Sequence, residues 1–267
     1  MAGPVDLYNH AYAQYELDVY ARIRVETYGE DLGQTSWVTT QESNEIPQLL
    51  QIRPESRVLE IGCGSGRYAL RVAEQTRCRL IGLDVNSHGI RNAKEIASRM
   101  RLDSLVRFEE CDASHRLPFS DARFDAVFSN DVLCHIPGRP AVLTELARVL
   151  KPGGRLLFSD ALVIGGLITH EEIATRSSIG FYVFSPPGTN EELIAAAGLR
   201  IVSATDTTAN AAHLAKLWHD ARQKRANELI ASEGINNFEG LQRFLGCVHT
   251  LTAERRLLRF VYLAARD

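Results

Sequence analysis

No stretch of this sequence approaches the roughly 20 consecutive apolar residues that a helix needs to cross a bilayer. The first thirty residues, polar and rich in Tyr and Arg, also lack the apolar core that heads a secretory signal. The expected setting is therefore the cytoplasm, with no membrane as partner. Charge of one sign is missing too: 24% of residues are charged, yet the formal net charge is only -3, which leaves no basic field to attract nucleic acid or anionic lipid. Arg222 to Arg225 and Arg255 to Arg259 are the local exceptions, and both read as solvated faces of a helix or strand. The five cysteines (Cys63, Cys78, Cys111, Cys134, Cys247) are odd in number, scattered, and include no Cys-x-x-Cys pair. That argues against a disulfide framework or a zinc ribbon and predicts structural, reduced thiols and no metal. Internal repeats and low-complexity tracts are absent.

What is present reads as one sizeable α/β unit, since 267 residues suffice to bury roughly three quarters of the unfolded surface around a single core. From Arg57 onward, short apolar runs alternate with amphipathic stretches, the pattern of strands crossing through helices into a parallel sheet covered on both faces. Strands are predicted at 58–61, 79–84, 106–111, 124–130, 155–160, 199–204 and 257–264, with helices at 67–75, 87–100 and 140–150. Lys151-Pro-Gly-Gly154 is expected to end the last of these. Thr189-Asn-Glu-Glu192 reads as a capping box opening a short helix that stops at Gly198. Leu162 to Gly188 fits no strand-helix unit and reads as an insertion, and two long helices are predicted at 209–232 and 238–251. The expected organisation is an N-terminal lid over residues 1–52, then a main domain over 53–267 with substrate-covering insertions at 162–188 and 207–252.

Chemistry concentrates first at Arg57-Val-Leu-Glu-Ile-Gly-Cys-Gly-Ser-Gly-Arg67, where a Gly-x-Gly-x-Gly turn separates a buried strand from a helix. Gly62, Gly64 and Gly66, with Cys63 between them, give the backbone clearance that a close-lying ligand needs. A dinucleotide site wants Gly-x-Gly-x-x-Gly, but Arg67 occupies the final position. Glu60 would repel a diphosphate and welcome an ammonium group, directly or through water, so an amino-acid-bearing nucleoside is the expected ligand. Asp84 ends the second strand, beside Val85, where a carboxylate can accept from vicinal ribose hydroxyls. Asn86 and Ser87 are better placed than Asp84 to cap the next helix. Asp112 could accept from an adenine amine while the Ala113 amide donates to the ring, although alone Asp112 is an ordinary loop aspartate.

Glu60 to Gly66, Asp84, Cys111-Asp-Ala113, Phe124-Asp-Ala-Val-Phe-Ser-Asn130 and Leu150-Lys-Pro-Gly-Gly154, in that order and spacing, resemble the class I S-adenosylmethionine-dependent methyltransferases. The similarity covers about residues 53–160. It implies a Rossmann-like, seven-stranded, mostly parallel sheet with an antiparallel last strand and helices on both faces. The cofactor, S-adenosylmethionine with S-adenosylhomocysteine as product, would lie across the carboxyl ends of the first four strands, reaching Asn130. The small-molecule branch is most similar, notably glycine, sarcosine and phosphoethanolamine N-methyltransferases and ubiquinone-type C-methyltransferases. Asp131-Val-Leu-Cys-His-Ile136 is similar to that branch's active-site loop. An Asn/Asp-Pro-Pro-Tyr/Phe motif is missing, because Asn130 is followed by Asp131-Val132, so base and glutamine methylation lose support.

The resemblance makes His135 the candidate general base, near where the family places the transferable methyl, with packing against the helix from Pro140 as the equal alternative. Five of the eight tyrosines precede residue 30, and Tyr8, Tyr12, Tyr15 and Val19 recur at helical spacing. Either they form a buried stripe, or Tyr15, Tyr20, Tyr28 and Trp37 enclose a cationic centre. Gln34 and Ser36 could reach cofactor or substrate, and Asp160 either faces the substrate or caps a turn. The acceptor is expected to be a small molecule, with nitrogen placed ahead of oxygen or carbon. A protein or RNA methyltransferase, a nicotinamide oxidoreductase and a non-catalytic nucleotide-binding scaffold are the alternatives, and homodimerisation is left open.

Overall fold

The computed structural model describes residues 5–33 and 35–267. The chain opens with three helices, α1 (Tyr8–Ala13), α2 (Asp18–Tyr28) and α3 (Thr40–Leu49). It continues through β1 (Arg57–Ile61), α4 (Arg67–Thr76), β2 (Arg79–Asp84), α5 (Ser87–Arg99), β3 (Val106–Glu110), β4 (Phe124–Ser129), α6 (Arg139–Val149) and β5 (Leu150–Ile164). The remainder is α7 (His170–Arg176), α8 (Thr189–Ala196), β6 (Arg200–Asp206), α9 (Thr208–Gln223), α10 (Ala226–Glu233), α11 (Ile235–Ala253) and β7 (Leu257–Ala265). The seven strands form one sheet in the order β3-β2-β1-β4-β5-β7-β6. Neighbours from β3 to β5 are parallel, whereas β7 runs antiparallel to both β5 and β6.

Alternation along each strand explains the layering. Val58, Leu80, Ala126 and Phe128 face one side, against apolar residues of α4 and α5. Leu59, Ile61, Leu83 and Val127 face the other, against Val142, Leu143 and Leu146 of α6 and Ile194 of α8. Strand order reverses between β1 and β4, and in open parallel sheets the crevice at the carboxyl ends of such neighbours is where ligands sit. A third apolar cluster joins Val19, Tyr20, Ile23 and Tyr28 of α2 to Leu214, Trp218, Leu241 and Phe244 of α9 and α11. The N-terminal piece and the helices between β6 and β7 thus share one core. Among the described residues no helix is long and apolar enough to cross a membrane.

Several expectations need correction. The helix foreseen over 209–232 is two, because the chain turns after Gln223 so that Leu229 is buried and Glu233 reaches Arg222. Gly188, left-handed at φ 88°, takes the N-cap position before Thr189, so no capping box forms there. The boxes that do form are Thr39 with Glu42 and Thr169 with Glu172. Helix α6 ends at Val149, and Lys151 to Gly154 belong to β5. Nor are the basic runs simply solvated: Arg222 pairs with Glu233, and Arg259 with Asp131 and Glu42, both guanidinium groups inside the protein.

Asp160 is the sharpest correction. It is fully buried, accepts from Arg139 Nη1 at 2.5 Å, Asn190 Nδ2 at 2.9 Å and the Leu162 amide at 3.0 Å, and so locks α6 and α8 onto β5 with no face left for a ligand. Removing one partner of such a pair strands the other charge in low dielectric. Asp160→Ala is therefore expected to lower unfolding free energy by about 3–5 kcal/mol in urea titrations, whereas Asp18→Ala, which loses only an exposed pair with Arg22, should leave the midpoint where it is.

Candidate functional site

A cleft of about 360 Å³ opens at the carboxyl ends of β1, β2 and β4, beside the reversal of strand order. Its floor is the glycine turn, with Gly62, Gly64 and Gly66 at φ 73°, 51° and 74°. A methyl at Gly66 would sit 2.5 Å from Phe108 Cζ, one at Gly62 2.5 Å from Val132 Cγ1, and one at Gly64 would collide with the Tyr12 hydroxyl. All three positions therefore exclude a side chain, for reasons of space as well as torsion. The turn is fastened to β2: the Gly62 and Cys63 amides donate to the Leu83 carbonyl, and the Gly64 amide donates to Asp84 Oδ2 at 2.8 Å. Asp84 Oδ1 accepts from the Asn86 amide at 2.8 Å, while the Asn86 side chain caps α5 through the Gly89 amide. Asp84 is thus free of the capping role and lines the cleft. Burial raises its pKa against those backbone donors.

Glu60 lies beneath the turn, with none of its surface exposed and, among the described residues, no hydrogen-bond partner on either carboxylate oxygen. Burial first, then the nearby Asp84, hold its pKa well above the ordinary carboxylate range. Partnerless buried acids are rare and call for a missing donor. The orphaned carboxyl, the side-chain-free glycine cradle and Asp84 together fit the amino-acid-bearing nucleoside expected from the sequence.

Helix α1 spans the cleft. Its Asn9 accepts from Asn86 Nδ2 at 2.7 Å on one side, and Tyr8 Oη meets His135 Nε2 at 2.9 Å on the other. His135 ends a single 3-10 turn, Leu133–His135, after β4. Its Nδ1 lies 3.1 Å from the Phe181 carbonyl oxygen, which can only accept. Nδ1 therefore carries the proton, and Nε2 accepts the Tyr8 hydroxyl. Burial first, then the Arg176 charge, push the His135 pKa down to about 4, with the Phe181 carbonyl and Asp131 opposing. Burial also raises the Tyr8 hydroxyl well above its usual value. At neutral pH the pair is a neutral imidazole holding an intact phenol.

Of the residues singled out from sequence, Gly62, Cys63, Gly64, Asp84, Val85, Asn130, Ser36 and His135 line the cleft. Asn130 Nδ2 is buried without a partner, and Ser36 Oγ lies 3.1 Å from the Tyr68 hydroxyl. Gly66 stands behind the lining, packed on Phe108 and Ala93. Asp112 and Ala113 fall outside the lining, and the Asp112 carboxylate is engaged by the Ser114 amide and His115. The aromatic enclosure is made of other rings than those expected. Tyr15 sits under the Arg24 guanidinium, Tyr20 donates to Glu233, Tyr28 donates to the Ser36 carbonyl, and Trp37 packs on Trp218 and Phe244. The last three belong to the core shared by α2, α9 and α11, which takes Tyr20 and Tyr28 away from the cleft, while Trp37 also borders a small recess beside it. Gln34 lies outside the described residues. Sequence reasoning missed Tyr8, Tyr12 and Thr35 as wall residues, although the Tyr8/Tyr12 spacing was a usable signal. It had none for Ile179, Gly180 and Phe181, which come from the irregular 162–188 segment.

Residues 52–234 match the family model described as a methyltransferase domain. The 27-O-demethylrifamycin SV methyltransferase of Amycolatopsis mediterranei is 33% identical over 156 residues, 55% of this chain and 57% of the relative. Methyltransferase GfsG of Streptomyces halstedii is 31% identical over 172 residues, 62% of this chain and 60% of the relative. The chain thus spans less than two thirds of the length of these curated relatives. Among solved structures, the cyclopropane synthase MmaA2 of Mycobacterium tuberculosis superimposes with a TM-score of 0.80 at 18% identity, over 98% of this chain and 99% of that one, and so shares the fold.

The environment of His135 can be read directly. Tyr8 from α1, Arg176 from α7, the Tyr182 ring, the Phe181 carbonyl and Asp131 face it. Its imidazole resonances are expected to titrate near pH 4, and Arg176→Met should move the midpoint upward. Because the unfolded imidazole takes a proton that the folded one refuses, this group contributes fully above the ordinary value of 6.5 and its contribution is lost as pH falls from there towards 4. Proton-detected NMR of the ring checks the midpoint, and a value near 6.5 would contradict the burial argument.

Proposed function

The chain belongs to the class I S-adenosylmethionine-dependent methyltransferases, and from that premise we propose that it transfers a methyl group to a hydroxyl of a small organic acceptor. The observation that carries this reading is the Tyr8–His135 pair at the wall of the same cleft that holds the glycine turn and Asp84. An alcohol or phenol must lose a proton as it is alkylated, and this pair can take it. The relative named for a 27-O-demethyl substrate supports oxygen, in place of the nitrogen favoured from sequence. A walled cleft of about 360 Å³ suits a small molecule better than a polymer. Free thiols in the chain support a reducing setting, the cytoplasm.

Bound S-adenosylmethionine supplies an electrophilic methyl on a sulfonium centre. Asp84 and the backbone of Gly62 to Gly64, with Val85 at the mouth, would hold the nucleoside, and Glu60 and Asn130 its amino-acid end. Charge on the sulfonium falls in the transition state, so the protein contributes mainly by positioning and by excluding water. The α1 helix with Tyr8 and Tyr12, and Ile179 and Phe181 opposite, supply that enclosure, which supports residues 1–52 as a lid and 162–188 as an acceptor-covering segment, whereas 207–252 adds no residue to the cleft's lining. At the acceptor, the Tyr8 oxygen receives the hydroxyl proton as its own passes to His135 Nε2, which leaves an imidazolium with Nδ1 still donating to Phe181. Positioned proton transfer of this kind is worth about 10²–10⁴ in rate.

Calorimetry with S-adenosylhomocysteine is expected to show binding that weakens about 10–100-fold in Asp84→Ala, through loss of charge-assisted hydrogen bonds, and disappears in Gly64→Val. Stabilisation by NAD instead would return the chain to the oxidoreductase reading. With an acceptor found by screening alcohols, phenols and amines, Tyr8→Phe and His135→Ala should each lower kcat about 10²–10⁴-fold at unchanged cofactor affinity. The acid limb of wild-type kcat/KM should fall off near pH 4, because only the neutral imidazole accepts. Undiminished kcat in both variants would remove the proton-transfer role.

A further inference from the structure

Five arginines are buried. Four have a carboxylate partner: Arg24 with Asp31, Arg139 with Asp160, Arg222 with Glu233, and Arg259 with Asp131 and Glu42. Arg176, the last residue of α7, is 1% exposed and makes no ion pair among the described residues. Among the described residues its Nε and Nη1 have no hydrogen-bond partner, while the Tyr182 hydroxyl accepts from the guanidinium. The guanidinium lies against two rings, 4.4 Å from the centroid of Tyr182 and 5.1 Å from that of Phe244. Such stacking offsets part of the desolvation cost but leaves N–H donors unmet.

The position of this charge matters more than its isolation. Arg176 lines a recess of about 10 Å³ whose wall includes Tyr8, Thr35, Ser36, Asp131, His135 and Ile179. Those same six residues line the large cleft, so the recess adjoins it. Its volume matches one water-sized group. Asp131 does not neutralise Arg176, since its oxygens are taken by Arg259 and the Trp37 amide.

We propose that Arg176 anchors an anionic group, a carboxylate or a phosphate, carried by the methyl acceptor. One oxygen of that group enters the recess and meets the unpaired guanidinium donors, while the rest of the acceptor lies in the cleft against Tyr8 and His135. A planar fork of donors suits either anion. This inference rests on the methyl-transfer reading and names the acceptor class for the same site.

The test is a thermal-shift titration of the full chain saturated with S-adenosylhomocysteine, using inorganic phosphate or acetate against chloride at fixed ionic strength. A rise on the order of 2–4 °C with one or both anions, lost in Arg176→Met and reduced in Arg176→Lys, supports the proposal. Phosphate alone points to a phosphomonoester, acetate alone to a carboxylic acid. No anion-specific rise in the wild type, or a rise that survives in Arg176→Met, overturns it. Should Arg176→Met not fold, Arg176→Lys decides by the same criterion, because it keeps the charge and loses the fork. Binding of S-adenosylhomocysteine, measured in the same series, separates the two levels: retained binding with no anion effect sinks only this inference, whereas absent binding in the wild type sinks the methyl-transfer reading.

Discussion

One buried guanidinium ties the two walls of the cleft together. Arg259, on β7 and wholly inside the protein, donates from Nε to Asp131 at 3.0 Å and from Nη1 to Glu42 at 2.5 Å and Thr207 at 2.7 Å. Asp131 is the first residue after Asn130 and sits at φ 57°, a torsion that a non-glycine residue holds only when its surroundings insist. Its amide donates to Ser159 on β5 and its second oxygen accepts the Trp37 amide. Through that single carboxylate the loop bearing His135, the segment leading into α3 and the last strand share a common anchor. Burial alone would lower the Arg259 pKa, and Asp131 and Glu42 together raise it instead, so the guanidinium keeps its charge inside the protein.

Against that closed cluster, two buried ionisable side chains lack a charge partner: Arg176 beside the cleft, and Glu60 beneath the glycine turn, where burial favours its neutral form. Arg139–Asp160 and Arg222–Glu233 satisfy each other within the framework. Glu60 and Arg176 do not. An unpaired ionisable group in a packed interior costs several kcal/mol, a cost that a core selected for stability alone would shed. A ligand with a cationic group near Glu60 and an anionic group near Arg176 would return that cost as binding energy. The structure thus distinguishes charges that hold the scaffold from ionisable groups that await a partner, a distinction invisible to residue type.

Much of this was legible in the sequence because it depends on local spacing. The period of apolar runs sets a parallel sheet, and the Gly-x-Gly-x-Gly turn, Glu60 and Asp84 announce the floor of the cleft within 25 positions of one another. What could not be read depends on long-range partners. Asp160 stands where the fifth strand was expected to end and where fold-level reasoning puts a substrate residue, yet β5 runs on to Ile164 and the carboxylate is claimed by Arg139 and Asn190, 21 and 30 positions away. The tyrosines misled for a related reason. Helical spacing says that rings share a face, but the chain breaks after Ala13, so Tyr8 and Tyr12 ride on a different helix from Tyr20 and Tyr28. The second pair is turned into a core built with residues more than 180 positions downstream.

Burial and, after it, the charge on Arg176 explain why so weak a base stands in the cleft. Burial makes the imidazole of His135 resist protonation, and the nearby Arg176 guanidinium deepens the effect. A base with a pKa near 4 is always available but pulls feebly on a hydroxyl proton, since general-base catalysis is best when the pKa lies near the working pH. An anion seated against Arg176 would screen that field and raise the His135 pKa, against the burial that remains. Base strength would then depend on the acceptor being in place, and an empty cleft would hold a base too weak to activate water, the nucleophile that a bound methyl donor most needs to be kept from.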